Sequence, residues 1–216
     1  MRFPSDPDAV GFVLAGGRSS RMGRDKALLS LAGRPLIRYA VSILRDAGLE
    51  ASIVGARSPL SEFVPMVADS RPGEGPLGGI LAALAATTAR CAVILPVDLP
   101  LLPAALIAYL VYHARVTGAA VTIPCVGGFE QSFPAVLDRA TLPAIESELD
   151  AGRRGCFSGF QAAAASLGQT VSVVPVELVI QAGQVADSRD LPAMCWFINV
   201  NTPAELQRAE TLLSVR

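Results

Sequence analysis

Short apolar runs alternate with longer helical stretches over most of this chain, and that alternation restricts the fold to βαβ units around a mainly parallel sheet. Val10–Leu14 (VGFVL) is continuously apolar and ends in Ala-Gly-Gly, the pattern of a central strand entering a tight turn. Pro35–Ala47 reads as a helix: Pro35 suits its first turn, apolar residues recur at Ile37, Ala40, Val41 and Leu44, and Gly48 follows as a stop. Ser52–Val54 and Met66–Ala68 are short strands, Leu77–Ala89 a helix, Cys91–Val97 a second central strand and Ala104–Arg115 the next helix. Ala119–Ile123 is strand-like. Beyond Pro124 the alternation loosens into a strand at Phe133–Leu137, a helix at Leu142–Leu149 and a strand at Val171–Val176. A last helix at Pro203–Leu213 begins behind Thr202 as N-cap. No internal repeat or low-complexity linker divides residues 1–216, so the expectation is a single domain, an α/β sandwich with an elaborated C-terminal half.

A hydrophobic share of 51% against 17% charged residues supplies a large core and excludes a disordered chain. The 18 basic and 19 acidic residues leave a net charge of −1, which argues against nucleic acid or an anionic membrane as the main partner. Cys91–Tyr112 is apolar over a bilayer-spanning length, but Pro96, Pro100, Pro103 and the carboxylate of Asp98 divide it into strand, loop and helix. The four cysteines are widely spaced with no C-x-x-C pair, and the N-terminal MRFPSDPDAVG has no apolar export core. Both features fit a reducing, cytoplasmic location.

The segment Leu14–Leu29 (LAGGRSSRMGRDKALL) carries the chemistry. It follows a predicted strand, so it lies beyond the carboxyl edge of the sheet, where open α/β sheets bind ligands. Gly16 and Gly17 let the main chain approach a ligand and present N–H donors to anionic oxygens. Arg18, Arg21, Arg24 and Lys26 place four cations within nine residues, offset by Asp25 alone. In a nearly neutral chain such a cluster suits a polyphosphate. Lys26 is the only lysine; every other basic side chain is arginine. The dinucleotide fingerprint G-x-G-x-x-G fails because Gly16 and Gly17 are adjacent. The P-loop pattern fails because Gly23 sits one place too far along and is followed by Arg24.

This segment resembles the nucleotide signature of the molybdenum cofactor guanylyltransferases. Further pieces similar to that family follow in its order: GRPLI at Gly33–Ile37, GPLGGI at Gly75–Ile80, VDLPLL at Val97–Leu102, FPAVL at Phe133–Leu137 and NVNTPAEL at Asn199–Leu206. The resemblance implies a three-layer α/β/α sandwich with a mainly parallel, Rossmann-like sheet of the nucleotide-diphospho-sugar transferase type. The N-terminal half would bind nucleotide and the C-terminal half the acceptor. It implies transfer of GMP from GTP to the phosphate of molybdopterin, with Mg²⁺ as cofactor and pyrophosphate as product, and transient contact with molybdopterin-delivering proteins. Matched motif by motif, Leu14, Ala15, Gly16 and Gly17 would meet the guanine nucleotide, Arg21 and Lys26 its phosphates, and Asp69 its base or ribose. Asp98 would bind Mg²⁺, and Asn201, or its neighbour Asn199, would complete the metal site.

Two departures stand out: the family often has an asparagine after its second strand where this chain has Val54-Gly55-Ala56, and Arg153–Phe160 with the stretch before Trp196 fits poorly. The rival readings are a cytidylyltransferase or sugar-phosphate nucleotidyltransferase of the same fold, and a nonenzymatic nucleotide-binding relative. A phosphomonoester is already an anionic nucleophile, so this chemistry needs positioning and charge stabilisation rather than a strong general base. That accords with a chain holding one histidine, His113, placed within a predicted helix as a structural or surface residue.

Overall fold

Alternate side chains of a strand face opposite ways, so an unbroken apolar run must be covered on both sides. In the computed structural model, which describes residues 7–15, 25–55 and 58–214, the first such run is β1 (Ala9–Leu14). Ala9 and Val13 pack into one apolar layer, Phe12 and Leu14 into the other. A 3-10 turn at Lys26–Leu28 leads to a small hairpin of β2 (Ser30–Leu31) and β3 (Arg34–Pro35), then α1 (Leu36–Asp46) and β4 (Glu50–Val54). Next come a 3-10 turn at Ser58–Glu62, β5 (Met66–Val67), α2 (Gly75–Ala86) and β6 (Cys91–Pro96). The chain continues through α3 (Ala104–Thr117), β7 (Val121–Val126), β8 (Phe129–Glu130), β9 (Ala135–Asp138) and α4 (Leu142–Asp150). It then forms α5 (Cys156–Ser166), β10 (Ser172–Pro175), α6 (Val176–Gln181), α7 (Ala193–Trp196) and α8 (Pro203–Ser214).

The main sheet has the order β10-β7-β9-β6-β1-β4-β5, with β8 added to β7. β4 and β6 flank β1 in parallel, placing Leu14 opposite Val54 on one side and Pro96 on the other. Along this path only β9 runs antiparallel, between β6 and β7. The chain moves outward from β1 to β4 and β5 and then returns to the other side of β1 as β6. That reversal opens a crevice at the carboxyl ends of β1 and β6, the usual ligand position of an open α/β sheet.

Helices cover both faces. Leu36, Ile37 and Leu44 of α1 share one layer with Leu106, Ile107 and Leu110 of α3, Trp196 of α7 and Ala209 of α8. Leu77, Ile80 and Leu84 of α2 share the other with Ile145 of α4 and Phe160 of α5. The buried Trp196 indole donates to the Leu191 carbonyl at 3.0 Å, so its one polar group is satisfied.

The predicted elements recur with shifted ends. α2 stops at Ala86 rather than Ala89 because Thr87 is extended (φ −116). β7 runs on to Val126 through Pro124, which lies opposite Val174 of β10 and whose carbonyl accepts the Gln131 N–H. The last central strand begins at Ala135 rather than Phe133. The apolar stretch Cys91–Tyr112 divides into β6, a turn and part of α3, and no helix among the described residues is long and apolar enough to cross a membrane.

Candidate active site

Asp25 caps the 3-10 turn after β1, its carboxylate accepting the Ala27 N–H at 3.1 Å. Ala27 is fully buried and anchors the turn, which leaves Lys26 directed at the crevice edge. On the neighbouring strand the ladder runs one residue past β6: Val97 N–H donates to the Leu14 carbonyl at 3.2 Å. Asp98 follows at once, held between the buried Val97 and Leu99. Its own carbonyl accepts the N–H of Val200 at 3.0 Å, which draws the segment before α8 against the same edge.

Three side chains meet there. Lys26 Nζ donates to Asp98 Oδ2 at 2.7 Å and to Asn201 Oδ1. The Lys26 and Asp98 side chains are 20% and 19% exposed, so the pair is neither dry nor fully screened. An ammonium carries three donors, and two are used here, leaving one for a ligand. Asp98 Oδ1 is buried without a hydrogen-bond partner. Two hard oxygens thus converge on one cation while a third lacks a partner. Among the described residues no group of three or more His, Cys, Asp or Glu could hold a metal. A carboxylate and an amide oxygen are hard donors, and Mg²⁺ commonly takes one or two such protein oxygens and draws the rest from phosphates and water.

Behind Asn201, Glu205 accepts the Asn201 N–H at 2.8 Å and the Thr202 hydroxyl at 3.1 Å. These bonds, the Asn201 N–H first, hold the Glu205 carboxyl below its ordinary range. On the other side of β1, the N-terminus of α2 comes close to the strand end because it carries glycines. A Cβ on Gly79 would lie 3.0 Å from Leu14 Cδ2, and one on Gly78 would lie 3.0 Å from the Arg71 carbonyl oxygen. The GPLGG motif is in this respect a packing requirement of the crevice wall.

Of the residues expected from the sequence, Lys26, Asp98 and Asn201 come together, and Leu14 and Ala15 end the strand beside them. Ala15 N–H donates to the Val54 carbonyl, extending the β1–β4 ladder. Asp69 stands two positions beyond β5, where its Oδ1 accepts the Arg71 N–H at 2.9 Å and closes its own turn. Both asparagines, Asn199 and Asn201, are exposed; of the two, Asn201 meets the lysine. Gly16, Gly17 and Arg21 lie outside the described residues. His113, on α3, has Nε2 3.0 Å from Ser172 Oγ of the far edge strand, and burial holds its imidazole below the ordinary value. The sequence reading missed Glu205, although Thr202-x-x-Glu205 spells a capping box. It also missed Glu210, whose Oε1 accepts the Ala32 N–H on the β2–β3 turn.

Residues 11–175 match the family described as the MobA-like NTP transferase domain. A molybdenum cofactor guanylyltransferase of Xanthomonas euvesicatoria pv. vesicatoria (strain 85-10) is 37% identical to this chain, over 92% of it and 93% of the relative. One of Rhizobium meliloti (strain 1021) is 33% identical over 96% and 92%. Among solved structures, molybdopterin-guanine dinucleotide biosynthesis protein A from Archaeoglobus fulgidus superposes with a TM-score of 0.75 at 22% identity, covering 94% of this chain and 98% of that one. That likeness concerns the fold.

Proposed function

The chain belongs to the MobA-like NTP transferase family, within the molybdenum cofactor guanylyltransferases, and from that premise we propose that it transfers GMP from GTP to the phosphate of molybdopterin. An acceptor phosphate oxygen attacks the α-phosphorus, the bond from that phosphorus to the β-phosphate oxygen breaks, and pyrophosphate leaves with the electron pair. The observation that carries the residue assignment is the meeting of Lys26, Asp98 and Asn201 at the strand-order reversal.

Lys26 releases Asp98 and Asn201 in part when GTP arrives, and its ammonium turns to the phosphates as a compact point charge. Arg21 adds a second cation to them. Leu14, Ala15, Gly16 and Gly17 line the nucleotide with backbone, and Asp69 faces the base or ribose side. Asp98 and Asn201 would hold Mg²⁺, which would supply charge screening for the phosphates and for the departing pyrophosphate. No side chain is required as a strong base, because the acceptor is already ionised near neutrality. Catalysis then rests on alignment and on charges fixed before the reaction begins.

One domain serves both substrates in this reading, with nucleotide on the N-terminal half and acceptor on the C-terminal half, in the cytoplasm and with brief contact to a molybdopterin-delivering protein. The test is a nucleotide screen for pyrophosphate release with Mg²⁺, with and without molybdopterin. Release from GTP that depends on the pterin supports the assignment. Preference for CTP, or GTP binding with no pterin-dependent release, overturns it.

A further inference from the structure

The Glu205 carboxylate takes no part in the chemistry above, yet it is bound to the residue beside it. Its Oε2 accepts the Asn201 N–H and the Thr202 hydroxyl, while Thr202 Oγ1 accepts the Glu205 N–H at 3.2 Å. An ordinary capping box serves the N–H of the cap residue itself. This one serves the Thr202 backbone and also reaches one residue further back, to the N–H of the asparagine whose Oδ1 meets Lys26. The preceding residue is fixed as well: Val200 is fully buried and its N–H is on the Asp98 carbonyl. Consecutive N–H groups at Val200 and Asn201 are thus pinned by the β6 end and by α8. The same helix reaches the Lys26 side of the site through Glu210, at 3.1 Å from the Ala32 N–H.

We infer that Glu205 is a positioning residue for guanylyl transfer: it sets the Asn201 peptide so that Oδ1 stands over Lys26 and Asp98. The inference rests on reading those three residues as the triphosphate and metal site. Glu205 touches neither substrate; it acts through Asn201. The bond that sets the Asn201 peptide uses the Glu205 oxygen as an acceptor, while its charge also bears on Lys26; glutamine keeps the first and removes the second. Loss of such an outer partner typically lowers metal affinity or activity by ~10–100-fold.

The experiment uses the full chain as wild type, E205A, E205Q, N201A and E205A/N201A. Four quantities are measured: kcat and KM for GTP in the pterin-dependent pyrophosphate assay, Mg²⁺ binding by calorimetry with a non-hydrolysable GTP analogue, hydrogen exchange at the Asn201 amide, and the thermal midpoint. E205A is expected to weaken Mg²⁺ binding and lower kcat by roughly tenfold or more, with KM for GTP little changed and faster exchange at Asn201. E205Q, whose amide oxygen still accepts that N–H, recovers most of the loss. The double variant is no worse than N201A. Wild-type Mg²⁺ binding and kcat in E205A beside an impaired N201A overturns the inference alone. So does a glutamine no better than alanine, or losses that multiply in the double variant. Wild-type behaviour of N201A overturns the site reading on which the inference stands. Should E205A fail to fold, E205Q is compared with E205D, whose shorter arm withdraws the oxygen. An impaired E205D beside an active E205Q supports the role, and equal activity overturns it.

Discussion

Replacing Lys26 with alanine removes the donor that holds Asp98 to Asn201. The two charged side chains are 20% and 19% exposed at a separation of 2.7 Å. The pair therefore falls between an exposed ion pair, worth ~0–1 kcal/mol, and a buried one, whose disruption costs ~3–5 kcal/mol. Asp98 already has one oxygen without a partner, and the variant strips the other. We expect a stability loss of about 1–2 kcal/mol, a drop of roughly 2–8 °C in the melting midpoint for a domain of this size. Turnover should fall much further. A preorganised donor aimed at developing charge is worth ~10²–10³-fold in kcat, or about 2.7–4 kcal/mol. Melting curves and pyrophosphate release measure the two effects separately. Lys26→Arg should recover more of the stability than of the turnover, because a planar fork cannot divide itself among carboxylate, amide and phosphate as an ammonium can. Wild-type-like turnover in folded Lys26→Ala would remove the lysine from the mechanism, and full turnover in Lys26→Arg would refute the argument from its shape.

Asp98→Ala should abolish Mg²⁺-dependent transfer while metal-free nucleotide binding partly survives; unchanged Mg²⁺ affinity by titration would sink the ligand assignment. His113 is the only histidine, and burial holds it below the ordinary value of 6.5. The unfolded chain therefore takes up that proton first, so this contribution to stability is present above pH 6.5 and lost as the pH falls towards the folded-state value. Urea midpoints followed across this window should decline on acidification, and His113→Gln should flatten the decline. Gly78→Ala should cost ~1–3 kcal/mol by overpacking, since its Cβ would meet a backbone oxygen at 3.0 Å. Gly79→Ala should cost less, because there the obstacle is the movable end of Leu14. Equal denaturation midpoints for the two would contradict this reading.

The strand-and-helix alternation was legible because β1 and β6 are buried on both faces and so had to be written as unbroken apolar runs. Lys26 and Asp98 were legible because each follows such a run, and parallel strands deliver their ends to one edge. Direction was not legible: nothing in Ala135–Asp138 distinguishes an antiparallel strand from a parallel one, since apolar composition reports burial alone. α5 was hidden by Arg-Arg-Gly at its entrance and by an alanine-rich body whose periodicity is weak. The β2–β3 hairpin is only two residues deep and turns on Ala32 and Gly33, both at positive φ (46 and 79). Which asparagine meets Lys26 required α8 and its carboxylates, a tertiary fact that a sequence window cannot contain.

Lys26 and Asn201 stand 175 positions apart in the chain, and Lys26 and Asp98 stand 72 apart. No fragment or half-folded intermediate can own this constellation, because its parts have no common neighbourhood until the whole sheet has closed. Opening free energies vary from one region to another, and a peripheral helix can detach while central strands stay paired. When α8 lifts away, Asn201 leaves with it, although the β1–β6 ladder is untouched. Mild denaturant should therefore silence the enzyme before circular dichroism registers any loss of strand.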